Sequence, residues 1–353
     1  MRRFLAFLWA LLGLLLALAA GAAPARAYPL GQRAPILTPD PCANVTLKMD
    51  FAANNGGGLY CLNGQKYPSF LAVPGASFTR ASTETCAWAD GHLSYAPPGV
   101  PCTTDLGIGV WEGRTNLLTW SQTLTNVVWS AGGVMVTDNE SAAPDGTTTG
   151  AFVREDGSTG THTVDRTATV GVTAGQIYTY SVIAKAGARS KIVLVLAGSD
   201  LKDRAFDLSA GTSATGQVLG TNPSAWAITP LINGWYLVSV TFIAGANTAD
   251  PRVYLSNGSA TSYTGDNASG IYLWGEEMDL GAFVGPYTPT TGAAATRAAV
   301  AVGLTYAPVG ASISLMYGAG VIAMPSAASP IDIGVSSGGA WVNNTIRKLM
   351  VAK

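Results

Sequence analysis

Charge is scarce in this 353-residue chain: Asp, Glu, Lys and Arg make up 12% of it, and histidine occurs only twice. The 20 basic and 21 acidic residues nearly cancel, leaving a net charge of −1 and no electrostatic footprint for nucleic acid. The histidines, His92 and His162, stand alone in loop-like sequence and form no metal-binding pair. No Gly-rich loop ending in Lys-Ser or Lys-Thr is present to cradle a phosphate. Residues 334–338 match the Gly-x-Ser-x-Gly pattern of hydrolases, but no histidine follows to act as the base of such a triad. A glycosidase needs two opposed carboxylates, and nothing in the sequence marks a pair such as Glu112 with Asp165. Low charge does not imply disorder, because 48% of the residues are hydrophobic and can build cores. Long stretches of helical periodicity are also lacking. Turn signals recur instead at short intervals, among 42 glycines and many Thr, Ser, Ala and Val, and this favours an all-β chain.

The amino end carries the one long hydrophobic run. Arg2 and Arg3 give it a basic start, residues 4–21 are apolar without an acid, and Pro24 breaks the segment. Ala25-Arg26-Ala27 then supplies the small-x-small pattern that signal peptidase reads. The expectation is a signal peptide over 1–27, cleaved after Ala27, with no membrane association afterwards. An uncleaved anchor is the rival, since the run approaches the length that spans a bilayer. A twin-arginine reading of Arg2-Arg3 has no further support. Loss of Arg2, Arg3 and Arg26 would take the net charge from −1 to about −4.

All four cysteines, Cys42, Cys61, Cys86 and Cys102, fall early in the exported chain, where an oxidising compartment makes disulfides the default. Three pairings are open. Cys42 with Cys61 and Cys86 with Cys102 is preferred, because both close short local loops. Zinc is disfavoured, because no Cys-x-x-Cys knuckle occurs and His92 is isolated. Eight prolines, from Pro35 to Pro101, exclude long helices from residues 28–110. That region reads as irregular β structure stapled by cysteines, with strand candidates at 45–51 and 77–80.

The middle of the chain is clearer. Residues 177–184 alternate so that Tyr178, Tyr180, Val182 and Ala184 share one face. Residues 235–243 place Tyr236, Val238, Val240 and Phe242 together, with Ser239 and Thr241 opposite. Residues 192–196 are apolar on both faces, as in a central sandwich strand. Further strands are expected at 134–138, 151–154, 204–207, 225–231, 252–256 and 271–276. Breakers such as Pro144-Asp145-Gly146, Asn233-Gly234 and Asn257-Gly258 separate them. Short strands at this spacing predict a sandwich or jelly roll. The tail, 299–353, holds strand-like pieces at 302–306, 312–317, 331–335 and 341–346, too short for an independent sandwich.

Residues 111–298 are bracketed by signatures. Gly113-Arg114-Thr115-Asn116-Leu117-Leu118 opens the segment; Gly270-Ile271-Tyr272-Leu273-Trp274-Gly275, residues 286–292 and Thr296-Arg297-Ala298 close it. Between them stand Ala143-Pro144-Asp145-Gly146-Thr147, Val172-Thr173-Ala174-Gly175, residues 181–187, Asn233-Gly234-Trp235-Tyr236 and residues 261–266. This ordered set resembles the carbohydrate-binding-module-like jelly rolls of bacteriophage tail and head-spike fibre proteins and related prophage-encoded proteins. Phe78-Thr79-Arg80-Ala81-Ser82 resembles the segment that often precedes the module in such proteins, and the tail resembles a truncated concanavalin- or laminin-G-like domain. The resemblance implies an all-β chain: a jelly-roll β-sandwich over 111–298, a disulfide-stapled irregular region over 28–110, and a short β tail. Virion fibres are normally assembled without a signal peptide, so the leader favours an exported bacterial protein, periplasmic, secreted or held at the cell surface.

Sugar recognition on such a module needs aromatic faces that stack on pyranose rings, flanked by polar groups that bond the hydroxyls. The candidates are Trp235, Tyr263, Trp226, Tyr254 and Trp129, with Asn257 and Asp266 as polar partners. Trp235 stands out because it shares the Ser/Thr face of its strand, and Tyr263 because it lies in a Gly/Asp/Asn loop. Each competes with a plain role: sandwich aromatics are mostly core, and turn Asn and Asp mostly serve the backbone. Glu276, Glu277 and Asp279 are the candidates for a structural calcium ion, against the reading of a solvated strand end. No other cofactor is expected. The expected function is non-catalytic binding of a cell-surface polysaccharide or glycan, with homo-oligomerisation open. The alternatives are a purely structural fibre or surface-layer component and, more distantly, a polysaccharide-active enzyme.

Overall fold

The computed structural model describes residues 40–43, 45, 47–198, 201–213, 220, 221, 223–305, 312–317, 320–324, 331, 332 and 344–352. The expected signal segment, the Gly-x-Ser-x-Gly match and Trp341 lie outside them. The chain divides into two units, 1–43 and 44–353. In the first, residues 40–43 make a turn in which the Ala43 N–H donates to the Asp40 carbonyl. The sheets belong to the second unit.

The protein is all-β, and its centre is a sandwich. One sheet runs, in spatial order, Val134–Ser141, Gly150–Glu155, Gly270–Leu280, Ile177–Ala186, Trp235–Ile243 and Ala225–Pro230. The facing sheet runs Trp129–Gly132, Thr163–Arg166, Thr248–Ser256, Lys191–Ala197, Lys202–Asp207 and Thr212–Ser213, with Val170–Gly171 beside Thr248–Ser256. The two alternating faces expected from the sequence meet in the core between these sheets: Tyr178, Tyr180, Val182 and Ala184 pack with Val238, Val240 and Phe242, and Ile192, Leu194 and Leu196 pack from across. Alternation at period 2 puts each of these side chains on the buried side of its strand. Every strand expected between 134 and 276 is present. Strands such as Trp129–Gly132 and Thr163–Arg166 were not expected, because they are short and half polar.

The strand expected at 271–276 runs on to Leu280, through three acids. A bulge at Gly275 (φ 66°) shifts its register against Ile177–Ala186, so that Ile183 faces Trp274 while Ser181 faces Glu277. The extra residue re-aims the side chains beyond it. Glu276 and Met278 turn into the core, and Glu277 and Asp279 turn to the outer face.

A second core lies outside the sandwich. It is built from both ends of the unit, with Leu47, Met49, Phe51, Phe70, Ile108 and Val110 packed against Val302, Leu304, Ile346 and Leu349. Asn344–Ala352 is a central strand there, pairing with Ser312–Tyr317, Leu47–Asp50 and Gly107–Val110. Cys86 bonds Cys102; Cys42 and Cys61 are disulfide-bonded too, and no cysteine is free, so the expected pairing of neighbours holds.

The bracketing signatures join each other. Arg114–Asn116 pairs antiparallel with Ala295–Arg297. The Asn116 amide donates to the Glu276 and Thr288 carbonyls, and its oxygen accepts from the N–H groups of Leu118 and Met278. Arg114 reaches Glu112, Asp279 and the Phe283 carbonyl. Ser82 accepts from the Ala298 N–H. These motifs form the clasp at which the sandwich opens and closes, which is why they mark the fold.

Candidate functional site

The outer face of the sheet that contains Trp235–Ile243 is where the structure leaves room. Opposite the core stripe, that strand presents Trp235, Leu237, Ser239 and Thr241. Register then places Thr229, Ala227 and Ala225 beside the last three on the edge strand, and Ser181 and Ile183 beside Ser239 and Leu237 on the inner side. Two pieces of chain cover this face in part: the hairpin Glu84–Ala87 with Leu93–Ala96, and the segment 282–287.

At one end the cover is complete. Trp235, Trp274, Ile183, Tyr287, Leu93 and Ala143 form a closed satellite core. Toward the other end the face opens into a groove of three adjoining cavities, all sharing Thr229, Leu237 and Val284. The first, about 290 Å³, extends along Trp226, Ser239, Thr241 and Phe283. The second, about 230 Å³, lies against Glu84, Thr85, Thr104, Gly109 and Trp111. The third, about 130 Å³, dips to Ser181, Ile183, Glu277 and Tyr287. Jointly they reach the lower part of the range of about 300–1,000 Å³ that small-molecule sites occupy. Cys102 lines the second cavity, so the Cys86–Cys102 bridge belongs to the groove wall.

Two acids of a buried ionic network, Glu84 and Glu277, line the groove. Arg80 donates to Glu84 at 2.9 Å, with both side chains fully buried. Burial pushes the Glu84 carboxyl above its usual range, and Arg80 and Arg297 oppose the shift. Glu277 is raised strongly by burial and by the charge of Asp279 beside it, against Arg297 and its bonds with Thr288. Asp279 is pushed up to about 6 by burial, with Arg114 pulling the other way. The three acids singled out in the sequence therefore do not converge on a calcium ion. The bulge sends Glu276 into the sandwich core beside Tyr180 and Arg166, where burial raises it to about 8, while its neighbours face arginines outside. Among the described residues no group of three or more His, Cys, Asp or Glu could hold a metal.

The aromatic candidates scatter. Trp235 is fully buried, and its indole N–H donates to the Ala142 carbonyl at 2.9 Å. It shares a face with Ser239 and Thr241 as expected, but at its end that face is roofed, so it is no stacking platform. Tyr263 lies on the short strand Ser262–Thr264 rather than in a loop. Its ring packs on His162, and its hydroxyl donates to Glu155 at 2.7 Å. Trp129 is buried under Arg166, with its indole N–H on the Trp120 carbonyl. Tyr254 is half-buried beside Arg252 on the other sheet, away from the groove. Asn257 and Asp266 are exposed, and each accepts backbone N–H groups of its own turn, as turn residues of that type do. Trp226 borders the groove only as part of the edge strand: it pairs with Val240, so its ring lies on the sandwich side of the sheet, 40% exposed, with Arg204 of the facing sheet 3.9 Å from its ring centre. Glu112 is held by Arg114 and Asp165 sits in the facing sheet near Arg252, so that pair does not assemble either.

The sequence reading missed Glu84, Thr229, Leu237, Val284 and, above all, Trp111. Trp111 precedes the opening signature without belonging to a periodic run. Only the pairing of Gly107–Val110 with the carboxyl-terminal strand brings it to the groove.

No family model matches the chain, and no curated protein does. Solved structures with a partial likeness include the enzymatically active domain of tailspike protein 4 of bacteriophage CBA120 (18% identity, 47% of this chain and 21% of that one, TM-score 0.29). Another is the CBM22-1 and GH10 modules of Clostridium thermocellum endo-1,4-β-D-xylanase 10B complexed with xylohexaose (13% identity, 51% and 30%, TM-score 0.28). A third is the C-terminal family 22 carbohydrate-binding module of that enzyme (13% identity, 50% and 98%, TM-score 0.25). The chain thus spans less than a third of the first two.

Proposed function

We propose that this chain is an exported, non-catalytic glycan-binding protein of phage-fibre type, which holds a segment of cell-surface polysaccharide in the groove that runs from the edge strand Ala225–Pro230 to Trp111. The observation that carries the reading is the groove's make-up. Its floor is Thr229, Ser239 and Thr241, its wall is the apolar segment 282–286, and the Trp111 indole stands at one end. A sugar ring offers apolar C–H faces for such an indole and wall, and hydroxyls for such a floor. The carboxylates near it are each bonded to a protein group: Glu84 through Oε2 alone to Arg80, Asp279 to Arg114, Glu277 to the Thr288 N–H. That arrangement suits binding better than glycoside cleavage, which needs two carboxyls opposed across the bond to be broken.

The test is a plug. Ala227 is exposed, lines the groove and belongs to the edge strand, so Ala227→Trp fills the channel without entering the core. The full chain should bind at least one oligosaccharide of a neutral and acidic glycan panel in calorimetry. Ala227→Trp should weaken that binding at least about tenfold, with the melting temperature kept within a few degrees. Absence of any glycan binding, or binding indifferent to the plug, overturns the reading. A second reading, a structural component that packs against its own copies, is favoured by one feature. Ile177 and Ile243 are paired across adjacent strands and stand 40% and 51% exposed at the sheet's end. Sedimentation of the full chain at several concentrations tests it.

A further inference from the structure

One niche in the groove is chemically specific, and it is built largely by the cysteine-stapled hairpin. Glu84 is 1% exposed, yet only one of its carboxylate oxygens is used: Oε2 accepts from Arg80, while Oε1 has no hydrogen-bond partner. Trp111 stands across from it, and its indole N–H donates to no protein group among the described residues. Between them is Gly109. A Cβ on Gly109 would lie 2.8 Å from Glu84 Oε1 and 2.8 Å from Trp111 Nε1, so the two atoms flank the gap that the missing side chain leaves. All three residues line the same 230 Å³ cavity. The niche therefore offers one strong acceptor and one donor side by side in a sheltered place. Thr85, whose hydroxyl donates to the Tyr287 carbonyl, and Thr104, whose hydroxyl accepts from the Leu106 N–H, complete its rim with groups already engaged.

We infer that this niche is a hydroxyl-reading subsite, in which a neutral sugar residue donates a hydroxyl proton to Glu84 Oε1 and accepts from the Trp111 indole N–H. The inference rests on the glycan-binding reading above and adds to it a ligand class and a location outside the jelly roll's own strands. A hydroxyl is both donor and acceptor, so one group, or two adjacent ones, matches both atoms. A uronic acid carboxylate has no proton to give and places a negative charge against a buried carboxylate, where the low dielectric magnifies repulsion. The groove should therefore select neutral over acidic polysaccharide. Gly109 is what keeps the niche open, since any side chain there occupies the ligand's place.

The experiment is a titration of the full, ¹⁵N-labelled chain at pH 7 with neutral glucan, mannan and galactan oligosaccharides and with an oligogalacturonate. The Trp111 indole resonance is assigned by its loss in Trp111→Phe. A neutral oligosaccharide should bind and move that resonance, and the oligogalacturonate should bind at least about tenfold more weakly. Trp111→Phe and Gly109→Ala should each cost about tenfold in affinity, the value of one hydrogen bond to a charged or well-placed partner. Glu84→Gln should narrow the preference for neutral over acidic ligand. Should that variant fail to fold because Arg80 loses its counter-ion, the other two still decide. Tight neutral binding with a stationary Trp111 resonance and full affinity in Trp111→Phe and Gly109→Ala overturns the niche while leaving the groove standing. Equal affinity for the oligogalacturonate overturns it as well. No glycan binding at all removes the groove and the niche together.

Discussion

At the scale of single residues, the hydroxyl of Tyr263 is tied to Glu155. Glu155 is fully buried, and its two oxygens take Arg189 in a bidentate pair, the Tyr263 hydroxyl and the Asp266 N–H. The polar handle that made Tyr263 look like a sugar binder thus satisfies a buried carboxylate, which would otherwise be costly to leave in the interior. Trp235 carries the same lesson. Its face was legible from alternation, but alternation cannot say whether a face is covered, and at this end the hairpin and Tyr287 cover it. Trp235→Ala should then act on stability, not on recognition. Loss of a fully buried indole that packs on Tyr272 within the satellite core, together with its bond to the Ala142 carbonyl, is expected to cost about 3–5 kcal/mol. Urea denaturation of the variant measures this; a change under about 1 kcal/mol would show that the satellite core is not formed as described.

At the scale of elements, strands with clean alternation were found at nearly their true limits, as for Trp235–Ile243 and Ile177–Ala186. The pattern ends four residues early, at Glu276 rather than Leu280, because acids normally mark a strand's exit into solvent. Here the strand continues, since the Gly275 bulge and the arginines at 114, 166 and 297 give those acids buried places. That arrangement has a pH signature. Glu276 is raised from an ordinary 4.5 to about 8 and Asp279 from 3.8 to about 6, each mainly by burial. The folded state therefore holds these protons more tightly than the unfolded chain does. Stability is greatest below the unfolded values and falls as pH rises through them toward the folded ones. Between about pH 4.5 and 8, Glu276 alone should account for a loss of a few kcal/mol. Melting temperatures of the full chain should decline over that interval, and Glu276→Gln, which stays neutral, should flatten the decline. A profile unchanged in Glu276→Gln would show that this carboxyl does not titrate in the core.

At the scale of the whole molecule, the least legible feature was the union of the two ends. The tail read as a short extension, because its strands are few and local pattern carries no record of distant partners. The structure instead sets Asn344–Ala352 in the middle of a sheet whose other strands come from residues 47–67, 103–110 and 312–324. Ile346 and Leu349 are fully buried there against the amino-terminal core, and the Gly107–Val110 strand takes its pairing from residues 344–346. Gly109 and Trp111 continue from that strand into the groove. The tail therefore supports the groove from a distance, through the backbone ladder between residues 344–346 and 108–110. A chain ending at residue 343 should keep the sandwich, whose 27 buried core residues all lie between 118 and 278. It should lose order in residues 47–67 and 103–111, leave Ile108 and Val110 uncovered, and bind glycans more weakly by about tenfold or more, as the Trp111 end falls out of place. Hydrogen exchange read by mass spectrometry separates the two regions: fast exchange confined to 47–67 and 103–111, with the strands from 134 to 280 still protected, is the expected result. Uniform protection in both regions, or uniform loss in both, would mean that the carboxyl-terminal strand does not hold the groove's far wall.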